Sequence, residues 1–299
     1  MAGRTTDIIS RIMVLIGQAL ANSNWASSEA DARARILAEI NDGYRKIAEA
    51  HDWRWLLKEE LKNIPYTTTS DVGESTGTNI YVTSSDDIYA GQRLIIGDSI
   101  FEPVTVSSLP DEPEDPLVLS SPGIFSSYED DEEAEIGAAS VQKPTDFWKL
   151  ESVILNYHGS NINTAEPLIR TTHHDFDVNT SPKLGMPTHY VEEQNSIIFN
   201  CGVDDSYTYR ANIRYFKNIT ALAVSSTDTV PEFSLYYDDL LVNYGIFSFY
   251  QRIGDANGYQ FYKFKFEERL KQMISEASIN YDGNPVIRAA IRANREGLR

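Results

Sequence analysis

Few residues in this chain are arranged for chemistry. His173, His174 and Asp175 stand together and are types that ligate zinc or exchange protons. Adjacent histidines do not share a helix face, and on a strand they point to opposite sides, so a metal site would need partners from distant segments. No such partners stand out, and a structural role is the plainer reading. Glu129 to Glu133 is a run of five carboxylates without the ligand spacing and glycine of a calcium loop, and it reads as a solvated charge run. There is no Gly-x-x-x-x-Gly-Lys phosphate loop, no Gly-x-Ser-x-Gly elbow and no His-Glu-x-x-His helix. Carboxylates are plentiful enough for a glycosidase-like acid–base pair, but nothing singles out two of them. Cys201 is the single cysteine, so neither an intrachain disulfide nor a cysteine metal cluster forms, and synthesis in a reducing cytosol is expected. The expectation is a protein that is not an enzyme, with no catalytic residue, cofactor or metal.

Arg288, Arg292, Arg295 and Arg299 have a sharper pattern. Spacings of four, three and four put them on one face if residues 286–299 are helical. They read either as a solvated basic helix end or as a docking peptide inserted between neighbouring subunits of a partner ring. Guanidinium groups pair bidentately with carboxylates and suit interfaces. An exposed pair contributes only about 0–1 kcal/mol, so anchoring needs burial or many copies.

The net charge of −18 is uneven. Residues 67–141 hold sixteen Asp or Glu and one basic residue, Arg93, whereas residues 259–299 carry +3. Coulombic repulsion excludes the acidic stretch as a strong binder of nucleic-acid phosphates. The longest apolar run near the start, Ile12 to Ile16, is too short for a membrane span, and no secretory signal pattern is visible.

The elements that position these residues alternate between helix and strand. Ile8, Ile9, Ile12, Leu15, Ile16, Ala19 and Leu20 give a helix over 6–21 an apolar stripe, with Thr6 as its N-cap. A second helix starts near Ser27-Ser28; Leu37, Ile40, Tyr44, Ile47 and Ala48 form its apolar face, and Glu39, Asp42, Arg45, Lys46 and Glu49 the opposite one. Tyr44, Ile47, Trp53 and Trp55 are expected to define the core there. Short β runs punctuated by turns fill 67–141. Further runs cover 149–157, 188–192, 196–200 and 207–216, the last with Tyr207, Tyr209, Ala211, Ile213 and Tyr215 alternating. An aromatic helix follows from Leu235 to Arg252, then a break at Gly254. The next helix has a seam of Tyr259, Tyr262, Phe266, Leu270, Met273, Ala277 and Tyr281. The fold class expected is α+β: a helical-bundle core of two N-terminal and two or three C-terminal helices, an antiparallel β-region and an inserted small β-domain. The expected domains are a core of 1–66 with 142–285, an acidic β-insert at 67–141 and a basic docking tail at 286–299.

Three motifs in order carry a resemblance: the helix with Tyr44-Arg-Lys-Ile47, the pair Trp53-Arg-Trp55, and Val230-Pro-Glu-Phe233 before a long helix. This order resembles the head-to-tail adaptor (connector) proteins of tailed bacteriophages, over roughly residues 1–66 and 142–299. The resemblance implies a virion protein at the head–tail interface, made in the host bacterial cytoplasm. It implies a homo-oligomeric ring, usually of twelve copies, beneath the portal protein. The C-terminal segment would reach into the portal, with Arg288, Arg292, Arg295 and Arg299 as its anchors. The other end would receive tail tube, nozzle or fibre proteins. Packaged DNA would pass through the lumen without sequence-specific binding, and no membrane is involved. The insert departs from the shorter adaptors and is expected to face outward, since insertions project from the surface. A tail, fibre or baseplate connector without portal contact is the alternative, and a cell-wall hydrolase a third reading.

Overall fold

The computed structural model describes residues 3–21, 25–70, 75–98, 100–110, 115–126, 128, 134–159, 162–179, 182–224 and 229–282. The chain forms two compact units, one of residues 1–57 with 218–299 and one of residues 58–217.

The first unit is helical, with α1 (Arg4–Ala21), α2 (Glu29–Glu49), α4 (Asp238–Ile253) and α5 (Ala256–Asp282); a short helix α3 (His173–Asn179) belongs to the second unit. The Ser28 hydroxyl accepts from the Asp31 N–H at 3.2 Å and starts α2. α4 ends at Gly254, whose φ of +78° is the left-handed cap that a Cβ would strain. α4 packs against α1, α2 and α5. Ile8, Ile9, Ile12 and Ile16 of α1 are buried, but Leu15, expected in the same stripe, is exposed. Glu39, expected on the solvent face of α2, is buried.

The second unit is built of sheet. β1 (Leu57–Ile64), β14 (Thr208–Lys217), β9 (Phe147–Gly159) and β10 (Ile162–Pro167) form one four-stranded sheet in that order. β11 (Ile169–Arg170), β12 (His189–Glu192), β13 (Ser196–Phe199) and β8 (Ser140–Gln142) form another. The six-stranded sheet runs β2 (Tyr66–Thr68), β7 (Glu135–Ala138), β4 (Arg93–Gly97), β5 (Phe101–Ser108), β6 (Leu117–Leu119), β3 (Asn79–Ile80). The β14–β9 ladder is antiparallel, with Ala211 opposite Leu155 and Ile213 opposite Val153, and these four side chains face one core. Ile96, Val106 and Ile136 of the six-stranded sheet join the same apolar cluster as Val153, Phe199 and Ile213. The chain segments approach closely at Gly137, where a Cβ would stand 2.0 Å from the Val203 carbonyl oxygen.

This architecture corrects the fold class. The expectation was a helical-bundle core with β-structure attached. The described residues instead place fourteen strands in three sheets, and the protein is β-rich. The helices announce themselves locally through 3.6-residue stripes, whereas the sheet core depends on pairings such as β1–β14, more than a hundred residues apart, which leave no local period.

Candidate functional site

The helical unit holds a chain of aromatic and charged groups around the predicted core residues. Tyr44 and Trp53 are each 1% exposed, Ile47 is fully buried and Trp55 is half-buried. The Trp53 indole N–H donates to the Ile47 carbonyl at 2.5 Å, which folds the chain back onto the end of α2. Trp55 stacks on Tyr44 with centroids 6.0 Å apart, and Phe233 meets both rings edge-on at 5.7 and 5.9 Å. The Tyr44 hydroxyl accepts from the Glu232 N–H at 3.0 Å. Burial pushes the Tyr44 phenol up to about 12. Arg4 clamps the same segment: its guanidinium pairs with Asp238, donates to the Pro231 carbonyl at 2.7 Å and lies 5.5 Å from the Phe233 ring centroid. The tryptophan pair and the Val230–Phe233 segment, more than 170 residues apart, thus meet in one cluster.

Two further locks join α2 to α4. The Tyr244 hydroxyl donates to Asp42 and accepts from Lys46 at 2.5 Å. The bond from Tyr244 holds the Asp42 carboxyl below its usual range, against the opposing effect of burial. Gly43 permits this approach, since a Cβ there would stand 2.6 Å from the Tyr244 ring. One turn along, Ser248 donates to Glu39, which also pairs with Arg252 at 2.5 Å. Arg269 of α5 donates to the Tyr236 carbonyl at 2.8 Å and bonds Asp239 of α4 at 3.0 Å, and Tyr237 donates to Glu276.

The ligand-like groups do not gather. His173 and His174 are exposed on α3, and Asp175 accepts from the Thr172 hydroxyl. Among the described residues no group of three or more His, Cys, Asp or Glu is placed to hold a metal. Cys201 is buried, and desolvation pushes its thiol up to about 11, away from nucleophilic character at neutral pH. No described helix is long and apolar enough to cross a membrane. The run Glu129–Glu133 and the arginines Arg288, Arg292, Arg295 and Arg299 lie outside the described residues.

What the molecule does present is surface. α1 exposes Val14 and Leu15 beside a hollow of 570 Å³ lined also by Asp7, Ser10 and Arg11. α5 exposes Phe261 and Phe264. The β1–β14–β9–β10 sheet has an open hollow of 500 Å³ lined by Leu61, Asn156, Asn163 and Arg210 among others. Ile100 and Phe125 protrude from the six-stranded sheet. Sequence reading did not single out these side chains: Ile100 and Phe125 lie outside helix and strand, where no period says inward or outward, and on α1 the facing neighbours decide that Leu15 stays in solvent. Such side chains are ordinary on a protein surface taken singly, and they are open to contact with other proteins.

The family comparison agrees. The model of the SU10 adaptor protein family matches residues 124–289, more than half of the chain, and the chain belongs to that family. It is therefore a phage adaptor protein, a virion component of a structural family that associates with other head and tail proteins. No curated protein matches the chain. The matched region takes in Phe233 and the helices α4 and α5, but leaves out Tyr44, Ile47, Trp53 and Trp55.

Proposed function

We propose that the chain is the head-to-tail adaptor itself: a ring of twelve copies beneath the portal protein that extends the DNA channel, helps retain the genome and offers the tail its attachment site. The family match over residues 124–289 carries this reading. The core of 1–66 with 142–285 builds the ring wall, the insert 67–141 faces outward towards tail tube, nozzle or fibre proteins, and the tail 286–299 docks between portal subunits. α5 leads directly towards that tail; its 27 residues give a rod about 40 Å long, suited to delivering Arg288, Arg292, Arg295 and Arg299 at a distance. Nothing in this role requires catalysis.

Cryo-electron microscopy of the native particle tests it. A twelvefold ring between portal and tail is expected; a peripheral three- or sixfold position would replace the adaptor with a tail or fibre connector. Deleting residues 286–299 should leave a folded protein that no longer joins the portal, and normal incorporation of the truncation would refute the docking role.

A further inference from the structure

The corner of the six-stranded sheet where β4 turns into β5 carries two large apolar side chains in solvent. Ile100, in the turn, is 73% exposed, and Phe125, in the segment after β6, is 84% exposed. Scattered apolar residues are ordinary on a surface, but this pair is held in place by the backbone around it. The Glu102 carboxylate accepts from the Phe125 N–H at 2.6 Å and from the Ser126 N–H and hydroxyl at 3.0 and 2.5 Å. Burial opposes ionisation of Glu102, yet these three bonds outweigh it and hold the carboxyl below its usual range. Gly123, at a φ of +78°, donates to the Ser120 carbonyl at 2.9 Å. The Ile124 N–H donates to the Gly77 carbonyl at 2.7 Å, and the Ile124 side chain is buried. The segment is thus anchored on both sides of Phe125 while the ring points away. A cleft of 260 Å³ lies beside it, walled by Phe101, Pro103, Pro122 and Gly123. An exposed side chain on a fixed backbone costs no backbone ordering when a partner covers it, a property that suits an interface anchor.

The charge of the segment selects the partner. Residues 67–141, which contain this corner, carry sixteen acids against one arginine. Nucleic acid and anionic lipid are repelled by a segment of that charge, and so is the same segment of a second copy. We propose that Ile100 and Phe125 form a docking tip that inserts into an apolar socket rimmed by Lys and Arg on another virion protein. This rests on the adaptor reading, in which the insert faces other tail components, and adds to it the contact residues and the partner's chemistry.

The test replaces Phe125 of the full chain, inside assembled virions, with the photo-crosslinker p-benzoylphenylalanine. Irradiation should join it to one other virion protein, at a peptide flanked by Lys or Arg. Phe125→Ser with Ile100→Ser should then weaken binding of the full chain to that purified protein by about tenfold or more. Added salt should weaken the unaltered pair. Circular dichroism and melting of the double variant should match the parent, because neither side chain is packed in the fold. Crosslinking to a second copy, to DNA or to nothing, with the chain in its ring, overturns the tip and leaves the adaptor reading standing. Unchanged binding by the double variant overturns it too. Absence of the chain from the virion overturns both.

Discussion

The two compact units solve the same problem of internal order with different chemistry. The helical unit, residues 1–57 and 218–299, has 17 acidic and 16 basic residues, for a net of −1. It buries two of them, each matched: Asp238 with Arg4, and Glu39 with Ser248 and the exposed Arg252; Asp42, half-exposed, bonds Tyr244 and Lys46 nearer the surface. The β unit, residues 58–217, has 27 acidic and ten basic residues, a net of −17 out of the chain's −18. Its interior is a continuous apolar cluster from Ile64 to Tyr215. None of its described acids is buried, and the apolar core bears the folding. The difference teaches that the acidic character belongs to one unit, while the helical unit uses part of its charge as fastening between helices.

This comparison is open to attack by mutation. The largest effect is expected from Trp53→Ala, which empties a fully enclosed indole site and should cost about 3–5 kcal/mol in a denaturant titration. Next, Glu39→Ala strands the Ser248 hydroxyl and removes the Arg252 partner, at a cost of about 1–3 kcal/mol; a neutral outcome would mean that the internal charges of the helical unit are not fastenings. In the β unit, Ile213→Val shaves one methylene from the shared core and should cost about 0.5–1.5 kcal/mol.

Titration sharpens the contrast further. Burial raises Tyr44 and Tyr237 in the helical unit and Tyr89 in the β unit to about 12. A phenol whose folded pKa lies above its ordinary value of about 10 gives stability that is complete below pH 10 and is lost as pH climbs through 12. Phenolate absorbance should therefore appear together with unfolding in that window, not before it. On the acid side the sign reverses. Burial works against ionisation of Asp146, but bonds from Lys58 and Tyr215, each 2.7 Å, leave its carboxyl below the usual range. Its contribution is present above about pH 4 and fades as pH falls through the lowered value. Asp146→Asn should lower neutral stability slightly and flatten that acid limb, with the least change at low pH, the smallest effect of the series, measured by melting temperature against pH.

Much of the helical unit was legible because its signals are local. The α2 stripe, the Ser28 start and the Gly254 stop each lie within a few residues of what they control. The same local rule misled at Glu39 and Leu15, where the facing neighbour, not the helix period, decides burial. Glu39 is held inside because Ser248 and Arg252 of α4 meet it, and nothing near position 39 encodes that. The strand periods around Tyr209 and Ile213 were also readable, but not which strands they join. The candidate surfaces were the least legible part, since exposure of Phe125 follows from Glu102, twenty-three residues earlier, gripping its backbone.

By itself the sequence determined the four long helices and several of the strands, the lone cysteine, the charge surplus of residues 67–141 and the adaptor resemblance through Tyr44, Trp53, Trp55 and Phe233. These follow from composition and short-range spacing, which the chain carries whether or not it is folded. Only the tertiary structure decided that the protein is β-rich, that three sheets share one core, and which apolar side chains remain in water. The physical reason is that sheet pairing and burial are properties of contacts between distant segments, and their free energy exists only once those segments meet.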